Sequence, residues 1–387
     1  MTFNIYFEPI GHLISAIKGD TIYSASIRAG LSLSSICGGK STCGRCKVRI
    51  LSGKCSSITK NEQLHLSKEE IGDGYRLACN TRILSDLKIS IPQITLAEPR
   101  LQLKGIEPKI EIDPIISVHN LVLSTPSLEN PIPDWEDIIN NLESQYNLSN
   151  LKVDIHLLRE INSIVQDLKR EISVTIRKNE IIGVCKKSKK HLGVAIDLGT
   201  TKIAIYLVDL FTGETLNTRG IINPQIIYGE DIMTRISYAM KKGVKDLSLA
   251  VSNNINYLVR DFLKDSIEID EMVIVGNTVI HHLLLGLPVE QLGKAPYVPI
   301  IRQAMDIKAR ELGFNVAPHA YIHLLPNIAG FIGSDHVAML LATEIDKSNK
   351  NVIGIDIGTN TEVALSVKGE LSSLSCASGP AFEGARI

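Results

Sequence analysis

Residues 194–216 read VAIDLGTTKIAIYLVDLFTGETL, and residues 353–374 read IGIDIGTNTEVALSVKGELSSL. Laid over one another, the two stretches share a β-branched strand, an aspartate, a Gly-Thr turn, a second strand and a hairpin into a third. The aspartates, Asp197 and Asp356, stand a whole domain apart, so the pattern is a duplicated domain rather than a short repeat array. A buried strand ending in Asp places a carboxylate at the sheet edge, where a magnesium ion can be held directly or through water. The glycine that follows lets the turn fold back, so that backbone N–H groups and threonine hydroxyls face an anion. Two such turns facing each other would clamp a nucleotide's phosphates from both sides. The competing reading is a pair of ordinary strand-turn-strand hairpins.

A second chemistry-bearing stretch lies far upstream: CGGKSTCGRC, residues 37–46. Its cysteines are spaced C-x5-C-x2-C, and a fourth, Cys79, follows in YRLACNTRI. Four thiolates converging on two irons require a loop wrapped around the cluster. Gly38, Gly39 and Gly44 supply that wrap, because backbone N–H groups approach sulfur closely where side chains are absent. A zinc site competes, since C-x2-C pairs bind tetrahedral zinc, but its ligands usually come as two similar pairs rather than three and one. A CGRC redox pair competes less well, because no βαβ pattern precedes it. Around the loop, Phe3, Ile5 and Phe7 alternate as a strand, HLISAIKG follows a turn at Pro9 to Gly11, and DTIYSASIRAG reads as a short helix from Asp20, its N-cap candidate, to Gly30. CKVRILSG and DLKISIP complete a small sheet. This stretch resembles the ferredoxin family with a 2Fe-2S cluster, nearer the adrenodoxin branch than the plant type, over residues 1–92. The resemblance makes Cys37, Cys43, Cys46 and Cys79 the cluster ligands and leaves Cys55 to packing.

Composition sets the frame. At 387 residues the chain exceeds one ordinary core, and 44% hydrophobic with 21% charged residues is globular. A net charge of -1 gives no electrostatic footprint for nucleic acid. No signal peptide is read at the start, and no run of apolar residues is long enough for a membrane span. Seven cysteines, four of them in one region, suit a reducing cytoplasm with one dedicated thiolate site. Residues 93–114 carry regularly spaced prolines and read as a linker. Residues 115–185 give a small α/β unit: IISVHNLVLS, the helix candidates PDWEDIINNLESQY and LKVDIHLLREINSIVQDL, and the strands EISVTIR and EIIGVC. No chemical constellation appears there, and Trp135, His119 and His156 read as structural. The basic run KKSKKH is read as a solvated linker.

The duplicated Gly-Thr turns resemble the superfamily of acetate and sugar kinases, Hsp70 and actin. Carried onto this chain, the first phosphate loop is Asp197, Gly199, Thr200, Thr201 and Lys202, and the second is Asp356, Gly358, Thr359, Asn360 and Thr361. VIVGNT (273–278) ends a strand on Gly276 and Asn277, and PNIAGFIGSDHVAMLLA (326–342) is read as the connecting helix. Asp335, near its start, is either a base or holder of a metal-bound water, or a charge at a helix N-terminus. His281 and His282 in TVIHHLLLGL read as structural. In that superfamily the adenosine is held by a glycine-rich turn well downstream, whereas this chain stops at SGPAFEGARI. The expectation is therefore an incomplete second lobe, from a fragment or a chain completed by another polypeptide, and weak ATP binding by the chain alone.

Taken whole, CGGKSTCGRC, DLGTTKIA, NPQIIYGEDIMTRI, VGNTVIHHLLLG, GIDIGTNTE and ASGPAFEGA resemble the ferredoxin-containing reductive activators of corrinoid proteins. The resemblance implies a multidomain α+β and α/β fold. Its parts are a β-grasp 2Fe-2S ferredoxin (1–92), a linker (93–114), a small α/β middle domain (115–185) and an actin-like, ribonuclease H-like ATPase domain (191–387), with its first lobe at 191–350 and a second beginning at 351. It implies ATP-driven transfer of one electron to cobalt(II) corrinoid in a methyltransferase system, with a 2Fe-2S cluster, ATP and Mg2+ as cofactors. Asp197, Asp356 and Asp335 would be catalytic, Asp197 and Asp356 holding magnesium. The partners implied are a corrinoid protein and a low-potential electron donor, with a homodimer open and neither nucleic acid nor membrane involved. Two readings from other classes stay open: an electron carrier or redox sensor with a degenerate actin-like module, and a small-metabolite kinase.

Overall fold

In the computed structural model, residues 2–8, 12–28, 31, 33, 35, 37, 39–92, 105, 110–187, 189–263 and 269–378 are described. The turn at Pro9–Gly11, the helix end at Gly30, Gly38, most of 93–109 and nearly all of ASGPAFEGA lie outside them. The alternation of Phe3, Ile5 and Phe7 forms β1 (Thr2–Glu8), which pairs antiparallel with β2 (His12–Ile17). Helix α1 (Ile22–Arg28) follows. The Ser24 N–H goes to the Thr21 hydroxyl at 3.1 Å, while Asp20 accepts from Ile17 N–H, so the side-chain cap falls one residue after the expected one. After the cysteine loop come β3 (Lys47–Ser52), the two short helices α2 (Lys60–His65) and α3 (Lys68–Gly72), each opened by a capping box, then β4 (Tyr75–Leu77) and β5 (Leu87–Ser90). The five strands order as β2-β1-β5-β3-β4 over a core of Ile5, Phe7, Ile22, Val48, Leu77 and Ile89.

A separate four-stranded sheet follows, built from β6 (Ile116–Val122), β7 (Lys152–Val153), β8 (Glu171–Arg177) and β9 (Glu180–Cys185) in the order β6-β8-β9-β7. Helices α4 (Asp134–Tyr146) and α5 (Ile155–Asp167) pack on it through Ile138, Leu142, Leu157, Ile161 and Val165. The stretch read as one helix from Leu151 breaks at Asp154, whose carboxylate accepts from His156 N–H and caps α5, which leaves Lys152 and Val153 to pair with β9.

The largest sheet has six strands: β10 (Leu192–Leu198), β11 (Lys202–Asp209), β12 (Thr215–Ile222), β13 (Ile269–Gly276), β14 (Met305–Lys308) and β15 (Tyr321–Leu324). Their order is β12-β11-β10-β13-β15-β14, with β10, β13 and β15 parallel. Helices α6 (Ile232–Lys242), α7 (Lys245–Leu263) and α8 (Thr278–Leu284) cover it, burying Ile236, Val251, Ile255, Ile280 and Leu283 against Ile196, Ile205 and Ile274. Because β10 and β13 run parallel in register, Leu198 stands opposite Gly276, and the turns after both strands open on one edge of the sheet. The connecting helix is shorter at its start than expected. Pro326, Gly330 and Gly333 keep the chain irregular, and α9 runs Ser334–Thr343. The chain then enters a three-stranded sheet, β16 (Val352–Ile357), β17 (Asn360–Val367) and β18 (Glu370–Ala377), in that order. No helix among the described residues is long and apolar enough to cross a membrane.

Candidate functional site

The cysteine loop is held from beneath. Glu62, fully buried in α2, takes Arg76 Nε at 2.8 Å and Nη2 at 3.0 Å, Leu77 N–H at 3.1 Å and the Thr81 hydroxyl at 3.2 Å. One carboxylate thus fixes both sides of Cys79. Burial opposes its charge, but these donors keep Glu62 below the usual carboxylate range. Gly44, at φ +64°, closes the loop where any Cβ would sit 2.9 Å from the His65 ring. The Asn61 amide donates to the Ser41 carbonyl, whose residue in turn sends its hydroxyl to Asn80 Oδ1 at 2.5 Å.

All four expected ligands stand near one another as free thiols. Cys46 and Cys79 have their sulfurs 3.2 Å apart, and Cys43 is one of the neighbours that lower the Cys37 thiol. Among the described residues, no group of three or more His, Cys, Asp or Glu side chains converges as ligands to a single metal ion. Two irons take four thiolates between them, and the four free thiols gathered here fit a 2Fe-2S cluster. Burial would raise the Cys37 thiol, yet the Thr42 and Cys43 donors bring it down to about 6. Those N–H donors were expected from glycines. Gly39 instead gives its N–H to Ser35 Oγ at 3.0 Å and serves through its φ of +89°. Cys55 does pack, accepting Arg76 Nη1 at 3.0 Å.

The second site is a cleft where the two Gly-Thr turns face each other. Asp197, Gly199, Thr200, Thr201 and Lys202 line one wall, and Asp356, Gly358, Thr359 and Asn360 the other. The hydroxyls of Thr201 and Thr359 lie 2.8 Å apart. Gly199 is needed for the turn, because a Cβ there would meet the Lys202 carbonyl at 2.6 Å. Asn277 lines the cleft and caps α8 through Val279 N–H. Gly276 stands back from it, its N–H and carbonyl both taken by the Ser334 hydroxyl at 3.0 and 3.1 Å. The Thr361 hydroxyl likewise turns to Ser378 Oγ at 2.6 Å. His281 and His282 are buried in α8 away from the cleft lining, His282 bonding the Thr278 carbonyl and Ile300 N–H.

The cleft floor is acidic. Burial and the neighbouring Asp356 raise Asp335 to about 6, and burial also raises Asp356. Glu362, which the sequence reading passed over, joins them. The hairpin register sets it directly across from Asp356, and burial, with the charges of Asp335 and Asp356, raises it to about 7. Facing carboxylates in low dielectric disfavour one another's charge until a proton or a cation enters. The set fits a magnesium ion held by one or two carboxylates that keeps waters and phosphate oxygens for its other positions.

Three carbonyls of the first turn are also held from behind. Asn223 Nδ2 donates to Gly199 O at 2.7 Å, Arg235 Nη2 to Thr200 O at 2.6 Å, and Asn223 N–H to Thr201 O at 2.8 Å. In a trans peptide the N–H points opposite to the carbonyl, so this grip directs the Thr200 and Thr201 carbonyls' partner amides away from Asn223 and Arg235. Arg235 is fully buried, and NPQIIYGEDIMTRI carried no assigned role in the sequence reading. An arginine on an amphipathic helix reads as solvated, and only the packing of α6 reveals otherwise.

Comparison with known proteins accords with this arrangement. Residues 5–84 match the 2Fe-2S iron-sulfur cluster binding domain, 105–191 the RACo linker region, 192–348 the RACo middle region, and 350–387 the C-terminal domain of RACo, the ASKHA domain. The chain is 27% identical over 370 residues to the corrinoid activation enzyme RamQ of Eubacterium limosum, covering 92% of this chain and 58% of that protein. It is 28% identical over 204 residues to the [Co(II) methylated amine-specific corrinoid protein] reductase of Methanosarcina barkeri, covering 50% of this chain and 38% of that one. A solved reductive activator for corrinoid, iron-sulfur protein superposes with a TM-score of 0.65 at 30% identity, covering 99% of this chain and 64% of its own. The chain thus spans less than two thirds of the length of these relatives. With a ferredoxin-type domain followed in order by the linker, middle and ASKHA regions, the chain belongs to the RACo family.

Proposed function

We propose that the chain serves an ATP-dependent reductive activator, passing one electron to the cobalt(II) corrinoid of a methyltransferase system and so restoring cobalt(I). The observation that carries this reading is the union, in one chain, of four free thiols gathered at one loop with two Gly-Thr turns whose hydroxyls meet. The resemblance to a corrinoid activation enzyme and a corrinoid protein reductase supports it.

Cys37, Cys43, Cys46 and Cys79 would hold a 2Fe-2S cluster, which supplies a one-electron donor when bound. The Thr42 and Cys43 donors at Cys37 favour thiolate over thiol there. Across the cleft, Thr200, Thr201, Lys202, Thr359 and Asn360 would bind ATP phosphates, Gly199 and Gly358 allowing close backbone approach. Asp197 and Asp356 would hold Mg2+, directly or through water. Asp335, whose burial lifts its pKa to about 6, would accept the proton of an attacking water in its ionised form. The partners proposed are a corrinoid protein and a low-potential donor, and the division proposed is 1–92, 93–114, 115–185 and 191–387.

The test combines the chain, a reductant and MgATP with a cobalt(II) corrinoid protein. Conversion of the cobalt(II) spectrum to that of cobalt(I), dependent on ATP, is the expected result. Absence of conversion together with unstimulated ATP hydrolysis overturns the reading.

A further inference from the structure

The stretch that holds the first Gly-Thr turn from behind also holds the cluster-bearing domain from the front. Asn223 and Arg235 grip the Gly199, Thr200 and Thr201 carbonyls as described. Between them in sequence, the turn Pro224–Tyr228 packs against α1 of the five-stranded sheet, and Ile227 joins that sheet's hydrophobic core. Two residues on, Arg235 Nε takes the Gly229 carbonyl at 2.9 Å. The next residue, Glu230, reaches across to Lys40 at 3.0 Å. Lys40 stands inside the cysteine loop, between Cys37 and Cys43. One buried guanidinium therefore bonds both the nucleotide-side turn and the residue next to the contact with the cysteine loop.

We propose that residues 223–235 couple the two sites, so that nucleotide in the cleft and docking of the cluster-bearing domain on this stretch favour one another. The inference rests on reading the cleft as a phosphate site. Its direction follows from the peptide geometry. The grip of Asn223 and Arg235 on the carbonyls turns the adjoining amides the other way, toward the cleft wall those residues form, which is the arrangement an anion needs. Docking that steadies Gly229 and Glu230 steadies that grip, and by linkage phosphate binding returns the same free energy to docking. Loss of the Lys40–Glu230 contact then weakens nucleotide binding although neither residue lines the cleft. The pair is exposed, 65% and 36%, so its own share is modest, but a like-charge contact at the same place is repulsive.

The experiment measures the Kd for MgATP by calorimetry on the whole chain with Lys40→Glu, with Glu230→Lys and with both. Each single change is expected to weaken binding by roughly threefold to tenfold, corresponding to a coupling of about 1 kcal/mol, and the double change to restore it to within about twofold. In the reverse direction, saturating MgATP is expected to slow tryptic cleavage after Lys40 in the natural chain and to leave it unchanged in Glu230→Lys, judged against the other tryptic sites. Should Lys40→Glu fail to assemble its cluster, Glu230→Lys, which lies outside the cysteine loop, still reports. Equal Kd values for the natural chain and the single variants, or failure of the double change to restore binding, overturns the coupling alone. Absence of any MgATP binding by the natural chain overturns the phosphate reading and the coupling with it.

Discussion

The hydroxyls of Thr201 and Thr359 stand 2.8 Å apart although 158 positions separate them, which closes the two Gly-Thr turns over a single cleft. If both hydroxyls serve one phosphate, Thr201→Val and Thr359→Val should each slow ATP hydrolysis by about tenfold, the worth of a hydrogen bond to a charged group. The double variant should lose less than the product of the two, because the pair acts on one group. Steady-state kinetics on the three variants decides it, and full multiplicativity would count against a shared phosphate.

Glu362 gives the cleft a pH signature. Its folded pKa of about 7 lies above the ordinary 4.5, so the folded chain binds this proton more tightly than the unfolded one. The stability this contributes is complete below pH 4.5 and is lost as the pH rises through 7. The melting temperature should therefore fall from about pH 6 to about pH 8, with Glu362→Gln flattening the slope. Added Mg2+ should stabilise more at the upper pH, where the carboxylates are charged. Scanning calorimetry across this range, with and without Mg2+, checks both.

The Glu62–Arg76 pair behaves in the opposite sense. Glu62 is held below its ordinary value, so its contribution is present above pH 4.5 and is lost as the pH falls through its lower folded value. Arg76→Ala leaves a buried carboxylate facing Leu77 and Thr81 without its cation, and should cost about 3–5 kcal/mol. Chemical denaturation followed by the visible absorbance of the cluster should register both the loss and the acid sensitivity.

The thiols can be sorted by substitution. Cys37→Ser, Cys43→Ser, Cys46→Ser and Cys79→Ser should each abolish or distort the absorption and electron-spin signals of a 2Fe-2S centre. Cys185→Ser and Cys376→Ser should leave both unchanged. A zinc-loaded, colourless protein that keeps its fold would contradict the assignment.

What the sequence made legible was local. The cysteine loop and the Gly-Thr turns are contiguous, and their chemistry follows from spacing over a few residues. Glu362 was harder, because its partner is fixed by the register of a hairpin: the tight turn at Gly358 and Thr359 sets Glu362 opposite Asp356, and a one-residue slip would turn it to the other face. Arg235 and Asn223 were not legible at all, since their acceptors are main-chain carbonyls of a strand turn more than twenty residues away. Helix α9 was read too long at its start because hydrophobic pattern outweighed three helix breakers, and Asp154 cut a helix that periodicity alone would have carried through.

One seam has a mechanical meaning. Arg177 of β8 forks onto Glu271 of β13 with two bonds of 2.7 Å, and also meets Asp306 at 2.8 Å. Lys308 reaches Glu180 and Arg310 reaches Asp154, both at 2.6 Å. Prying the four-stranded sheet from the six-stranded one would break this bidentate pair, and deleting either partner while the seam stays closed would leave a buried charge uncompensated, at a cost of about 3–5 kcal/mol. The contact between Lys40 and Glu230 is wet and exposed by comparison. The four-stranded and six-stranded sheets are therefore pinned together by a dry network of ion pairs, whereas residues 223–235 meet the cluster-bearing domain through the apolar Ile227 and one solvent-exposed pair.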